Sequence, residues 1–150
     1  MATAEDAKLI LQLYEMRREK VMRKARKFVL QEFFPQSVDD IKALFGSAAK
    51  VNHNAWFRQV TTYWDMAAAM VNHGALNPEL FFETNGEHLA VWAKIGDFVP
   101  QLREEVFGPQ YLLNLEKLVT SQPNGAARVE MFKARFKKMA ETRATKGKHS

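Results

Sequence analysis

The side chains best suited to chemistry gather in the middle of the chain. Asp65 follows Tyr63 and Trp64, His73 stands before Gly74, Glu79 follows Pro78, and Glu83, Glu87 and His88 come next. A carboxylate near an imidazole can hold a metal, move a proton or take a cationic ligand. Helical proteins build such sites from inward carboxylates and Glu-x-x-His pairs. That spacing is absent: Asn85 stands three residues before His88, and Met70 three before His73. There is no His-x-x-x-His and no His-Glu-x-x-His, and Asn85-Gly86 interrupts the turn that would align Glu83 with Glu87. No catalytic residue, metal or cofactor is therefore assigned. Asp65, His73 and Glu79 remain as candidate ligand-binding residues. The simpler reading makes His73 a cation at a helix C-terminus and the acids a solvated face near helix starts, where the dipole favours them.

Asp65 lies on a strongly apolar stretch, YWDMAAAM. If it faces inward it needs a partner, because a lone buried carboxylate is costly. Arg17 or Arg18, from another helix, is the expected partner, giving a structural ion pair that fixes register more than it stabilises. A catalytic acid is the competing role.

Other chemistries are excluded more firmly. The chain has no Cys, so disulfides, thiolate metal sites and a Cys nucleophile are ruled out. Ser37, Ser47, Ser121 and Ser150 lack a Gly-x-Ser-x-Gly context. No Gly-x-x-x-x-Gly-Lys or Gly-x-Gly-x-x-Gly occurs, which argues against nucleotide enzymes.

The net charge of +5 is unevenly placed. Residues 1–32 carry +3, residues 33–125 carry −4, and residues 126–150 carry +6. Lys133, Arg135, Lys137 and Lys138 are the candidate phosphate contacts, with a second basic cluster between Arg17 and Lys27. Glu15 and Glu19 interleave the first cluster, and no helix-turn-helix pattern presents a reading helix. Nucleic-acid association is therefore the less favoured reading, and a solvated helix face the bland one.

These residues must be positioned by helices. Apolar positions recur at helical spacing through residues 4–34, with two segments or a kink expected near Arg17. Ser37 caps a short helix over Val38–Phe45, stopped by Gly46, and residues 47–51 are expected as a loop. A long helix follows from about Asn52 or Asn54 to Val71, with Gly74 as its left-handed stop. Asn77-Pro78-Glu79 starts the next helix, over Pro78–Glu83. Another is expected from Gly86 to Val106, broken near Pro100. Helices over Pro109–Thr120 and Ala126–Thr142 complete the set. The expectation is an all-α, multi-helix bundle of about five to seven helices with a central antiparallel helical hairpin. It forms a single domain over residues 1–144, followed by a disordered basic tail at 145–150. No apolar run reaches the roughly 18 residues of a membrane span, and no secretory signal is visible.

LYEMRRE at 13–19, YWDMAAAMVNHGALNPELFF at 63–82, a Trp-bearing helix and LLNLEKLV at 112–119 together resemble a bacterial all-helical family, a domain of unknown function. The shared features are the triplet Tyr63-Trp64-Asp65 and the turn carrying Gly74, Leu76 and Glu79, and the resemblance covers about residues 9–120. It implies a helical domain and carries over no catalytic or ligand residue. The functional expectation is a soluble, cytoplasmic, non-enzymatic protein-interaction module, with self-association as a homodimer through the last helix as one form. Val129, Phe132 and Phe136 of that helix would dock on the body or on a second subunit.

Overall fold

Every regular element among the described residues is helical. The structure, a computed structural model, describes residues 1–46 and 51–149. The expected all-α multi-helix bundle is what forms.

Helix α1 (Ala4–Arg18) opens on a capping box: the Thr3 hydroxyl accepts from the Asp6 amide, and the Asp6 carboxylate accepts from the Thr3 amide at 2.7 Å. The anticipated interruption falls at Glu19, whose backbone is extended at ψ 143°. No Gly or Pro is needed there, because the Glu19 carboxylate accepts from the Met22 amide at 2.9 Å and starts α2 (Lys20–Lys27). A single turn of π-helix, Phe28–Glu32, ends α2 ahead of Pro35.

Helix α3 (Val38–Gly46) begins where Ser37 Oγ accepts from the Asp40 amide. The loop expected at 47–51 lies outside the described residues, save Val51, which opens α4 (Val51–Asn72). Gly74, at φ 78°, turns the chain out of α4 with the left-handed backbone that glycine adopts without strain. Asn77 Oδ1 then accepts from the Leu80 amide at 2.9 Å and caps α5 (Pro78–Thr84).

Helix α6 (Glu87–Ile95) is followed by a 3-10 turn (Gly96–Phe98), then by α7 (Val99–Leu102), which takes Pro100 in its first turn, and by a second π turn (Arg103–Phe107). Pro100 thus breaks the long helical pattern where proline geometry predicts. The expected helix start at Pro109 is corrected. Gly108 (φ 90°) and Leu112 (φ 54°) take left-handed backbone, and α8 spans only Leu113–Ser121. Helix α9 runs over Gly125–His149, through the residues where a disordered tail is expected; side chains 141–147 are exposed.

The core is built around α4. Phe57, Val60, Trp64, Ala67, Ala68 and Val71 are buried along one side. Helices α2 and α8 pack most extensively against it, and the small Ala67-Ala68 pair permits close approach. Helix α9 lies along α6, with Val129, Phe132 and Phe136 against the core. The apolar stripe of the last helix is therefore used within its own chain. No helix among the described residues is long and apolar enough to cross a membrane.

Candidate functional site

The three candidate ligand residues do not come together. Asp65 is half-buried, and its Oδ1 accepts from the Leu115 amide at 2.9 Å. His73 and Glu79 are exposed on either side of the 73–77 turn. The carboxylate at Asp65 serves as the N-terminal cap of α8. Leu112 stands at the capping position and offers no oxygen, so an acid from α4 satisfies the free amide instead. Asn72, two turns on, donates from Nδ2 to the Asn114 carbonyl at 2.9 Å and fixes the same junction.

The expected ion pair of Asp65 with Arg17 or Arg18 is corrected accordingly. Arg17 lies with its guanidinium over the rings of Trp64 (5.3 Å) and Tyr14 (5.6 Å). Arg18 is exposed and reaches Glu15 at 3.6 Å. The helix dipole and backbone amides at the start of α8 supply the positive end that a guanidinium was expected to supply.

The charged pair that does cross the core is Arg26 with Glu87. Arg26 donates from Nε (3.0 Å) and Nη2 (2.8 Å) to the Glu87 carboxylate, whose other oxygen accepts from Trp64 Nε1 at 2.9 Å. Arg26 also donates from Nη1 to the Arg17 carbonyl at 3.3 Å, tying the end of α1 into the cluster. The bond to Glu87 raises the Arg26 guanidinium further above its ordinary range. Tyr63 completes this wall: its hydroxyl donates to the Leu13 carbonyl at 2.6 Å, and burial pushes the phenol up to about 12. Among the fully buried side-chain polar atoms of this cluster, Arg17 Nε alone lacks a partner. The arrangement locks α1, α2, α4 and α6 together.

His88 sits next to this cluster, fully buried, with its ring 5.0 Å from Phe81 and 5.9 Å from Trp64. Its Nε2 is 2.7 Å from Gln122 Oε1, an acceptor, so the imidazole carries its proton there; Nδ1 has no partner. Burial pulls its pKa down from 6.5 to about 4. It is a neutral core histidine.

Two of the open features among the described residues bear on function. One is an apolar concavity on α1, α2 and α4. It consists of two adjoining hollows that share Met16: Leu11, Gln12, Glu15 and Met16 line one, and Met16, Met22, Gln59, Thr62, Tyr63 and Met66 the other. Leu11 is 62% exposed, Met16 48% and Met66 38%. Tyr14 and Val21 add exposed apolar surface on the same two helices.

The other is a cleft of about 390 Å³ between α6, α9 and the chain around Phe34, with Lys94 in its wall. Lys94 is only 7% exposed. Its Nζ donates to the Phe33 carbonyl at 2.7 Å and lies 3.8 Å from the Phe34 ring centre and 4.0 Å from that of Phe136. Burial, and then the charge of Arg143, pull its pKa down from 10.5 to about 7. Sequence reasoning passed over this residue. The signal was its place on the apolar side of α6, three and four residues beyond Val91 and Ala90.

The candidate phosphate contacts are dispersed. Lys133 pairs with Asp97 (3.1 Å) and Glu130 (3.4 Å). Arg135 folds onto Phe132, Lys137 lines the Lys94 cleft, and Lys138 is exposed. Their spacing puts Lys133 and Lys137 on one face of α9, and Arg135 and Lys138 on another.

Against this geometry stand the comparisons with known proteins. A family model described as a domain of unknown function (DUF4760) matches residues 2–122, which stops just short of α9. Neither the curated proteins nor the solved structures gave a match.

Proposed function

We propose that this chain, which belongs to the DUF4760 family, is a non-enzymatic protein-interaction module. It takes an amphipathic helix of a partner protein in the methionine-lined concavity of α1, α2 and α4. The observation that carries this reading is the run of exposed Leu11, Met16 and Met66 over the buried Met22 and Tyr63. Soluble folds seldom leave such a contiguous apolar strip uncovered. Unbranched methionine side chains adapt to a partner's shape, as promiscuous helix-binding grooves do. Glu15 lines the strip and pairs with Arg18 at 3.6 Å, so the charges beside it are mixed and the partner helix engages chiefly through its apolar stripe.

The seven methionines supply the probe. Methyl NMR of the labelled chain, titrated with an amphipathic helical peptide, is expected to shift Met16, Met22 and Met66 and leave Met131 on α9 unmoved. The double change Met16→Glu, Met66→Glu abolishes those shifts. Equal shifts at all methionines, or none at millimolar peptide, would defeat the reading. Sedimentation equilibrium of the free chain separates self-association from a foreign partner.

A further inference from the structure

The cleft beside α9 holds a lysine that the fold treats unlike the other lysines among the described residues. A structural lysine buries its stem and keeps its ammonium in water or on a carboxylate. Lys94 does neither. Its nitrogen is enclosed by two aromatic rings and one carbonyl, and among the described residues it makes no ion pair. The charged groups facing the cleft are Asp97, Lys133, Lys137, Glu141 and, above the Phe34 ring, Arg143. Asp97 is already engaged by Lys133. The two ring faces attract an ammonium, and the single bond to the Phe33 carbonyl needs only one N–H, which the neutral amine also supplies.

We propose that Lys94 is a reactive amine that captures a small aldehyde, with an aromatic or apolar body and an acid group, as an imine. The body packs between Phe98 and Phe136, and the acid group meets Lys137 at the same cleft wall. Desolvation in an apolar pocket beside a second cation is a general way to free a lysine amine near neutral pH. In the reaction the Nζ lone pair forms a bond to the carbonyl carbon while the carbonyl π pair moves to oxygen. That oxygen takes a proton from solvent and the nitrogen loses one, giving the carbinolamine. The hydroxyl then takes a second proton from solvent, the nitrogen lone pair forms the C=N π bond as the C–O bond breaks and water leaves, and the second nitrogen proton passes to solvent, giving the neutral C=N product. The aldehyde and the amine yield the imine and one water, and no oxidant or reductant is needed. The lowered titration of Lys94 fits this chemistry, since burial and the charge of Arg143 bring the free amine within reach of neutral pH.

The test uses the full chain with 4-carboxybenzaldehyde, trapping with cyanoborohydride and peptide mass mapping. Labelling of Lys94 at pH 7 is expected to outrun that of exposed Lys20 and Lys138 by at least about tenfold, because an ordinary lysine is almost wholly protonated there. The half-maximal pH for Lys94 labelling is expected near 7, and Arg143→Gln shifts it upward by removing the neighbouring cation. Lys94→Arg loses the label, with circular dichroism reporting the fold. Labelling of Lys94 no faster than of the exposed lysines, or with a half-maximal pH near 10, overturns the proposal. Because the site lies on α6 and α9, failure here leaves the methionine-lined surface untouched, and failure there leaves this one.

Discussion

The carboxylate of Asp65, on α4, lies 2.9 Å from the backbone nitrogen of Leu115 in the first turn of α8. One helix thus caps another. Asp65→Ala is expected to cost about 1–2 kcal/mol in urea unfolding, the usual worth of an N-cap. Asp65→Asn keeps an oxygen that accepts the amide and is expected to lose much less. Equal losses in the two variants would mean that the charge, and not the cap, is what matters.

Glu87 makes the second prediction. It accepts from Arg26 and from Trp64, and its side chain is 10% exposed. Glu87→Ala leaves a guanidinium and an indole N–H without their acceptor, at a cost of about 3 kcal/mol. Arg26→Met combined with Glu87→Leu is expected to recover most of that loss, because the penalty comes from the orphaned partner. Chemical denaturation followed by tryptophan fluorescence reads both, and a double mutant no better than Glu87→Ala would count against the account.

His88 makes stability depend on acid. Its folded pKa of about 4 lies below the ordinary 6.5, so between these values the unfolded chain binds more protons. The contribution of His88 is full above pH 6.5 and is lost as pH falls towards 4, by up to about 3 kcal/mol. In His88→Gln the loss over that window is expected to flatten. Thermal melts at half-unit steps decide it, and parallel pH profiles for the two proteins would refute the assignment.

Lys94 acts in the same sense at higher pH. Its folded pKa of about 7 lies below 10.5, so stability is expected to rise as pH climbs from 7 towards 10. Tyr63 and Tyr111, both raised to about 12 by burial, keep their protons across that range; they contribute stability that fades only as pH rises past 10. Lys94→Met is expected to be more stable than the parent at pH 7, with the gap closing by about pH 10. A gap that stays constant with pH would show that Lys94 is not titrating in this window.

What the sequence made legible is what its local chemistry determines. Ser37, Gly74 and Asn77-Pro78 mark helix ends by side-chain oxygen, left-handed freedom and proline geometry, and each acts where it stands. The break after α1 was anticipated within two residues, although its agent, Glu19, carries no breaker signature. The apolar stretch around Asp65 says that the carboxylate needs a partner, and the structure supplies a backbone amide where a guanidinium is expected. An ion pair leaves two charges to match by eye, whereas a backbone amide at a helix start leaves none. Here the start itself was hidden, since Leu112 takes a left-handed turn with a side chain that rarely adopts one. Lys94 was missed for a related reason. A lysine in the last turn of a helix usually complements the dipole, and only the packing of α9 and Phe34 over it makes it something else.

The amino-terminal cap carries a consequence for the motion of the whole chain. The Asp6 carboxylate that closes α1 also accepts from the Asn77 amide at 2.8 Å, so one side chain holds the first turn of α1 and the entry to α5. Helix termini ordinarily exchange their amide hydrogens with solvent first, by fraying alone. Here neither end can open without releasing the other. The amide of Asn77 is therefore expected to exchange in step with that of Thr3, seventy-odd residues away in the chain, as one opening event.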